Sequence, residues 1–301
     1  MAQRIDGVLL LDKPPGLSSN AALQEAKRLC GAAKAGHAGT LDPLASGLLP
    51  LVFGEATKFA QFALGADKEY VARVRLGIAT ATGDVEGEVI GRGAGGVDGE
   101  RLEGALARFR GEIEQVPPMY AALKHGGRPL YALAREGRTV ERAPRRVTIR
   151  ALELLSRAGD LIELRILCSK GTYVRQLAHD LGAALGSGAH LAALRRTAVG
   201  GFRVEQAIGL GALRALDPPG RSARLLAIES LLAGLARVEL PAALSGRFLD
   251  GQALRLDEAR RGRCRVYLER GPLLGVGELR AAGELHAVRL LARAARGGAS
   301  G

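Results

Sequence analysis

One stretch constrains the fold of this chain more than any other, a turn rich in glycine and proline that runs into an apolar segment. Residues 36–51 read GHAGTLDPLASGLLPL. Two glycines ahead of Asp42 allow positive φ and the proline after it fixes φ, so the turn should be rigid. The apolar second half favours a buried strand, which would hold the turn at the edge of the core. The pattern predicts one aspartate, Asp42, aimed from a fixed loop.

Asp42 has two interpretations. An aspartate before a proline usually starts a turn or caps a helix, and this is the favoured interpretation when the Asp-Pro pair is considered by itself. The whole string, however, resembles the catalytic motif of the TruB family of pseudouridine synthases, which isomerise the uridine at position 55 in the TΨC loop of tRNA. Ala38 and Ser46 stand where the family usually has threonine. The resemblance implies that Asp42 is the catalytic residue and that His37 contacts RNA beside the active-site opening.

A second motif lies near the N-terminus, where residues 11–19 read LDKPPGLSS. The apolar residues before it predict a short buried strand, and Ser18 or Ser19 can cap a helix that runs to about Gly31. A lysine after a strand is usually solvated. The string nevertheless resembles the first TruB motif, which implies that Lys13 and Pro14 lie beside the active site and belong to the substrate-binding set.

Alternating apolar and polar residues from Lys68 onward predict a half-buried strand at about 69–77. Tyr70, at the start of this strand, could be an ordinary strand aromatic. Its Lys-x-Tyr context, and the loop from Thr80 to Gly87 that follows the strand, resemble the TruB family. The resemblance implies that Tyr70 is an active-site residue that stacks on the uracil and helps the proton leave C5.

The next motif follows two predicted strands at about 147–155 and 161–168. Residues 168–175 read CSKGTYVR and continue as a predicted helix to Leu185. An arginine at such a helix start is, in isolation, a peripheral residue. The string resembles another TruB motif, which implies that Arg175 pairs with Asp42 and that Tyr173 binds the substrate. HLAALRRTAVG at 190–200 resembles a third motif and implies that Leu194 lines the uracil pocket.

The charge of the chain favours a polyanionic partner. Lys and Arg together number 43 against 31 Asp and Glu, which gives a formal net charge of +12. Residues 118–146 mix basic side chains with aromatics, which suits RNA because guanidinium groups hold phosphates while rings stack on splayed bases. A solvated surface loop is the alternative. The segment resembles the TruB insertion that clamps the TΨC arm, so we expect it to contact tRNA.

Several other kinds of protein are disfavoured. No window approaches the roughly 18 consecutive apolar residues of a membrane span. The first six residues lack the apolar run of a signal peptide, so we expect a cytoplasmic protein with no membrane partner. The cysteines Cys30, Cys168 and Cys264 are widely spaced and form no Cys-x-x-Cys pair, so the sequence predicts neither a disulfide framework nor a metal site.

The C-terminal third predicts a separate module. Residues 217–220 (DPPG) are a predicted breaker, followed by a predicted helix at 225–235 and then short strands. Those strands resemble the PUA-like RNA-binding domain that closes many bacterial TruB proteins. We therefore expect an α+β protein with a catalytic domain at 1–237, built on a mixed, mainly antiparallel sheet flanked by helices. A small β-rich PUA-like domain should follow at 238–292 and a flexible tail at 293–301.

The resemblance covers nearly the whole chain and implies a tRNA pseudouridine synthase that uses no cofactor or metal. Whether Asp42 acts as a nucleophile or as a base at C2′ stays open. One alternative is an RNA-binding or chaperone protein without chemistry, against which the set of Asp42, Tyr70 and Arg175 argues. Another is an enzyme of the same fold that depends on guide RNA. The short N-terminus and the 118–146 segment favour the stand-alone bacterial type, a monomer without guide RNA.

Overall fold

Two β-sheets organise the chain in the computed structural model, which describes residues 5–121 and 123–291. The tail expected at 293–301 lies outside the described residues. The first strands are β1 (Gly7–Lys13), β2 (Ala35–His37), β3 (Ser46–Phe53), β4 (Lys68–Leu76), β5 (Ile78–Thr80), β6 (Val89–Arg92) and β7 (Gly111–Gln115). The next are β8 (Lys124–His125), β9 (Arg128–Pro129), β10 (Arg145–Ala158), β11 (Leu161–Cys168), β12 (Ala189–Val199), β13 (Phe202–Arg203) and β14 (Ile208–Gly209). The C-terminal strands are β15 (Ala236–Leu240), β16 (Leu254–Arg255), β17 (Gly262–Leu268), β18 (Leu273–Leu279) and β19 (Glu284–Leu290).

The helices are short and lie between the strands. They are α1 (Ser19–Leu29), α2 (Ala60–Gly65), α3 (Gly99–Arg108), α4 (Leu130–Arg135), α5 (Val174–Leu185), α6 (Leu210–Ala215), α7 (Pro218–Ser222) and α8 (Ala242–Leu249). Single 3-10 turns occupy Gly54–Phe59, Val204–Gln206, Ile228–Leu232 and Ala281–Gly283. None of the described helices combines the length and the apolar character that crossing a membrane would require.

The large sheet has ten strands within the described residues. Its order is β14-β1-β3-β12-β4-β11-β10-β7, with β2 beside β3 and β13 beside β12. Only the β1–β14 and β3–β12 pairs are parallel in this sheet as described. The prediction of a mixed, mainly antiparallel sheet in an α+β protein is therefore confirmed. The parallel β3–β12 contact matters most for the site, because β3 begins just after the Asp42 turn.

The period-two pattern of β4 explains the two faces of the large sheet. Tyr70, Ala72 and Val74 are buried on one face, whereas Arg73 and Arg75 are exposed on the other. The buried face joins the main core, where α1, α3 and α5 cover the sheet. Burial of each large aliphatic side chain contributes roughly 1.5–3 kcal/mol, so this face fixes the register of the strand. Tyr70 thus lies on the helix-covered side of the sheet.

Of two local predictions after residue 216, one is confirmed and one is wrong. The predicted breaker separates α6, which ends at Ala215, from α7, where the Asp217 side chain accepts a hydrogen bond from Gly220 N at 2.8 Å and caps the helix, with proline in the first helical position. The helix expected at 225–235 is only the 3-10 turn Ile228–Leu232. Leu226 instead exchanges backbone hydrogen bonds with Val8 at 2.8 and 2.9 Å, so tertiary pairing overrides local helix propensity there.

The C-terminal sheet has the order β15-β17-β18-β19-β16 and carries α8 against its own apolar cluster. It begins two residues before the predicted boundary at 238, because β15 pairs with β17 from Ala236 onward. The module also packs against the large sheet. Tyr267, Leu273 and Val276 lie in one buried cluster with Phe59 and Ala63. The two sheets therefore share part of their core.

Candidate active site

The Asp42 turn connects β2 to β3 and is held in place by side chains from neighbouring elements. Ser19, buried at the start of α1, accepts a hydrogen bond from Leu41 N at 2.7 Å and donates to Leu41 O at 2.9 Å. Lys13, at the end of β1, donates to Pro43 O at 3.4 Å. Leu41 and Pro43, on the two sides of Asp42, are thus hydrogen-bonded to α1 and to the end of β1 respectively. The rigid loop predicted from the sequence is present.

Arg196 of β12 holds the same turn from the opposite side. Its guanidinium donates to Leu48 O at 2.7 Å, Gly39 O at 3.0 Å and Thr40 O at 3.4 Å. This clamp requires β3 to approach β12 closely, which Gly47 permits. Gly47 has φ +101°, and a Cβ added there would lie 2.3 Å from Arg196 O. Glycine is therefore the residue that allows the approach.

Asp42 forms the expected ion pair with Arg175. The distance between Arg175 Nε and Asp42 Oδ2 is 2.9 Å. Because α5 begins at Val174, Arg175 lies in the first helical turn and points back across the end of the sheet. Its side chain is only 5% exposed, whereas that of Asp42 is 36% exposed. The carboxylate therefore has a buried cationic partner on one side and remains open to a ligand on the other.

A second carboxylate, Asp84, shares Arg175. Arg175 Nη1 lies 3.4 Å from Asp84 Oδ2 and also donates to Thr82 O at 3.3 Å. Asp84 is buried and accepts hydrogen bonds from Thr82 Oγ1 at 2.5 Å and Glu86 N at 3.1 Å. Sequence reasoning missed Asp84, although it lies inside the Thr80–Gly87 loop. The fourth contact of Arg175 is to Tyr120 O at 2.7 Å, which ties the 118–146 segment to the ion pair.

A cavity of about 340 Å³ opens beside Asp42 and brings together most of the residues predicted from the motifs. Its lining includes Asp42, Tyr70, Tyr173, Arg175 and Leu194. Tyr70 and Leu194 are 8% and 7% exposed, so both face the cavity from the core. Burial raises the pKa of the Tyr70 phenol, which keeps the hydroxyl protonated near neutral pH. The volume lies within the usual range for small-ligand sites.

His37, Lys13 and Pro14 are placed differently. His37 lines a neighbouring cavity of about 590 Å³ that shares Asp42 and Arg175 with the first. Its buried Nδ1 has no hydrogen-bond partner, and burial lowers the pKa of the imidazole, with Arg196 adding to the effect. Lys13 is completely buried and donates to Pro14 O at 2.8 Å, so both residues support the turn and line neither cavity.

The backbone of Tyr173 is fixed by Gln115 at the end of β7, just before the 118–146 segment. Buried Gln115 accepts from Tyr173 N at 3.0 Å and donates to Tyr173 O at 3.3 Å. The Tyr173 side chain packs against a small apolar cluster that includes Leu130 and Leu133. The segment therefore packs against the cavity wall at Tyr173. Exposed arginines at its end, Arg145 and Arg146, add positive charge to this side.

Two further buried cations line the first cavity and were also missed from the sequence, Lys68 and Arg196. Lys68 donates to three backbone carbonyls around the end of α2. The Lys-x-Tyr motif could have pointed to Lys68 as a site residue, but a lysine in a strand is ordinarily solvated. Within residues 5–121 and 123–291, no group of three or more His, Cys, Asp or Glu side chains is arranged to hold a metal ion.

Family profiles match the chain in three consecutive parts. Residues 27–174 match the TruB family pseudouridylate synthase N-terminal domain. Residues 175–232 match the tRNA pseudouridylate synthase B C-terminal domain. Residues 236–291 match the pseudouridine synthase II TruB C-terminal region.

Curated relatives match over almost the full length. A protein of Chromobacterium violaceum named tRNA pseudouridine synthase B is 54% identical over 297 residues, which is 98% of this chain and 97% of the relative. One of the same name from Burkholderia mallei is 58% identical over 284 residues, 92% of this chain and 94% of the relative.

Solved structures also resemble the fold. A Cbf5-Nop10-Gar1 complex aligns with a TM-score of 0.73 at 27% identity, over 95% of this chain and 84% of that chain. An archaeal box H/ACA sRNP Nop10-Cbf5 complex aligns with a TM-score of 0.72 at 25% identity, over 95% and 86% of the two chains.

Proposed function

Because the chain belongs to the TruB family of pseudouridylate synthases, we propose that it converts the uridine at position 55 in the TΨC loop of tRNA into pseudouridine, with Asp42 as the reacting carboxylate. The observation that carries this proposal is the Asp42–Arg175 ion pair at the mouth of a cavity that Tyr70 and Leu194 line. A carboxylate paired with a buried arginine, beside a space for one small ring, suits chemistry on a single nucleoside.

The substrate follows from the relatives and the surface. The relatives that are 54% and 58% identical are named for tRNA, whereas the Cbf5 structures from ribonucleoprotein complexes are only 25–27% identical. The net charge of +12 and the 118–146 segment beside the cavity support direct binding of an RNA loop. We therefore propose a stand-alone enzyme that binds tRNA without guide RNA.

The target uridine has to leave the base stack before it can reach Asp42. Extruding a nucleotide costs a few kcal/mol, which contacts in the pocket must offset. Tyr70 supplies an aromatic face for the base, and Leu194, on the adjacent strand β12, lines the same cavity. Arg175 holds the Asp42 carboxylate in place through their ion pair while the base excludes water.

The isomerisation then proceeds without redox change. The N1–C1′ bond breaks and its electron pair stays with the uracil, while Asp42 either bonds to C1′ or removes the proton at C2′. The uracil turns so that C5 faces C1′, the C5–C1′ bond forms, and Asp42 is released or returns its proton. The C5 proton finally leaves, with help from Tyr70, and N1 takes up a proton. Substrate and product therefore have the same composition.

The proposal is tested by mapping pseudouridine in an unmodified tRNA transcript treated with the protein. We expect one pseudouridine, at position 55, and the same product in an isolated T-arm stem-loop. A transcript with cytidine at position 55 is the matched control and should remain unmodified. Modification at another position, or none in a folded protein that binds the tRNA, would contradict the proposal and favour a different RNA substrate or a binding protein.

A further inference from the structure

Buried positive charge exceeds buried negative charge in and beside the first cavity. Lys13, Lys68, Arg175 and Arg196 are 0%, 7%, 5% and 1% exposed. Among the described residues, only Arg175 has carboxylates within ion-pair distance, Asp42 and Asp84. The other three cations donate to backbone carbonyl oxygens. Arg196 also interacts with the Tyr70 hydroxyl, and Asp42 and Asp67 attract Lys13 and Lys68 only at longer range. A buried cation without an anionic partner is costly. The surplus therefore points to a negative charge that arrives with, or develops on, the substrate.

Arg196 is the cation best placed to meet such a charge. Lys13 lines neither cavity, and Lys68 uses all three of its donors on Ala63 O, Leu64 O and Ala66 O. Burial lowers the pKa of Lys68 to about 8, so its charge is partly lost just above neutral pH. Arg196 lines the cavity and presents a planar guanidinium with several fixed donors.

Arg196 also keeps unused donors. Its guanidinium has five N–H groups, of which Leu48 O, Gly39 O and Thr40 O take three. The hydroxyl of Tyr70 interacts with the same guanidinium, which opposes the rise in the pKa of Tyr70 caused by burial. At least one N–H therefore remains for a ligand in the cavity. The backbone bonds prevent the guanidinium from reorienting, so this donor is fixed before the substrate arrives.

We infer that Arg196 stabilises the negative charge that develops on the uracil ring when the N1–C1′ bond breaks, an inference that rests on the proposed function. The electron pair of that bond stays with the uracil, which carries one negative charge until C5 bonds to C1′. Fixed donors aimed at a charge that forms during the reaction lower the barrier more than they strengthen substrate binding. Arg196 is thus a catalytic residue whose effect falls on the chemical step.

An RNA phosphate is the competing source of negative charge at this position. Phosphates lie on the outside of the RNA backbone, whereas Arg196 lines the cavity and is 1% exposed. A base that enters the cavity can approach Arg196 more easily than a phosphate can. The two sources differ in what they would control. A phosphate contact sets affinity and its salt dependence, whereas stabilisation of the leaving uracil sets the rate.

The chain offers a matched control in the neighbouring residue. Arg195 is on the opposite face of β12, 44% exposed, and pairs with Asp12 at 2.8 Å. Arg195→Gln and Arg196→Gln remove the same charge from adjacent positions, one at the surface and one in the cavity. Arg196→Lys keeps the charge but supplies fewer donors. Glutamine at 196 can still donate to one or two of the carbonyls of the turn.

The test compares these variants with the parent protein, once the parent has been shown to form pseudouridine in tRNA. The single-turnover rate constant at saturating enzyme, the Kd for tRNA at several salt concentrations and the melting temperature are measured. We expect Arg196→Gln to lower the rate constant by about 100-fold or more with Kd within threefold of the parent. The rate constant of Arg196→Lys should be at least tenfold higher than that of Arg196→Gln. The rate constant of Arg195→Gln should lie within threefold of that of the parent.

Two results would overturn the inference. One is an Arg196→Gln variant that reacts within threefold of the parent, and the other is a defect confined to Kd with a flatter salt dependence, which would assign Arg196 to a phosphate. If Arg196→Gln does not fold, Arg196→Lys decides alone: a folded variant within tenfold of the parent supports the role of charge, and a loss beyond 100-fold contradicts it. A parent protein that forms no pseudouridine would instead refute the proposed function.

Discussion

Lys68 shows what burial does to a single charged residue in this site. Its ammonium group lies on the core face of β4 and donates to the carbonyls at the end of α2. Desolvation, together with a smaller contribution from the charge of Arg196, lowers its pKa from 10.5 to about 8. The folded protein therefore releases this proton at a lower pH than the unfolded chain does.

The sign of the resulting pH dependence can be tested. Between pH 8 and 10.5 the unfolded chain binds more protons at Lys68 than the folded chain, so this residue makes the free energy of unfolding rise with pH, by at most about 1.4 kcal/mol per unit. Below pH 8 both states are protonated and the contribution is constant. Urea unfolding of Lys68→Met at pH 7.5, 9 and 10 should lack this rise relative to the parent.

Lys34→Met is the control for that series, because Lys34 is exposed and loses the same charge. It should keep the slope of the parent. Parallel pH profiles for the parent and Lys68→Met would show that Lys68 titrates normally in the folded protein.

Sequence reasoning identified the residues that carry a local motif and missed those defined by tertiary contacts. Tyr70, Tyr173 and Leu194 line one cavity with Asp42 and Arg175, and the Asp42–Arg175 contact is present. Their catalytic and binding roles stay predictions. Asp84 and Arg196 could not be identified in the same way, because a single charged residue in a loop or strand is usually solvated. Only the assembled fold shows that both are buried at the site.

At the scale of elements, the site depends on the close parallel contact between β3 and β12. Gly47 permits this contact, since its φ of +101° is unfavourable for other residues and its missing Cβ leaves room for Arg196 O. Gly47→Ala should therefore push β3 away from β12. We expect a loss of at least about 2 kcal/mol in the free energy of unfolding and a fall in the single-turnover rate.

Gly104→Ala, the same substitution at another position, should have the opposite effect on the free energy of unfolding. Gly104 lies inside α3, and a Cβ there would meet nothing within 4 Å. Alanine should stabilise the protein by roughly 0.5–1 kcal/mol because it favours the helix. Chemical unfolding of both variants checks the pair. Similar stability for Gly47→Ala and the parent would mean that the two strands tolerate a wider separation.

Most elements were predictable because their apolar spacing matches their final environment. The strands of Tyr70 and of residues 161–168, and the helices that begin near Ser19 and Val174, lie within a few residues of their predicted bounds. The error at 225–235 has another cause. There the chain is held by pairing of Leu226 with Val8, a contact that local spacing does not encode.

At the scale of the whole molecule, the C-terminal sheet is both a packing partner and a basic surface. Its shared cluster with Phe59 means that deleting the module would expose apolar core, so truncation is a poor test of its role. Surface substitutions are cleaner. Arg255, Arg261 and Arg280 line a cavity of about 590 Å³ in this module and are all exposed.

Replacing these three arginines with glutamine should weaken tRNA binding without slowing the chemistry. Each lost phosphate contact lowers the slope of log K against log salt by about 0.9. We expect a Kd raised about tenfold at moderate salt and a single-turnover rate at saturating enzyme within threefold. The triple substitution Arg73→Gln, Arg75→Gln and Arg165→Gln on the outer face of the large sheet changes the charge equally. Equal loss of affinity in both triples would show that the C-terminal module has no special part in binding.

The most direct test of the central claim is the pseudouridine yield of Asp42→Asn in tRNA, measured beside its affinity for the same tRNA. Asparagine is nearly isosteric and keeps the turn, and Arg175 retains Asp84, so the variant should fold and bind. Asp12→Asn, which removes a carboxylate paired with Arg195 on the outer face, is the control and should react normally. We predict no pseudouridine from Asp42→Asn with a Kd within a few fold of the parent. Conversion by a folded Asp42→Asn variant at a rate near that of the parent would show that Asp42 is not the reacting carboxylate.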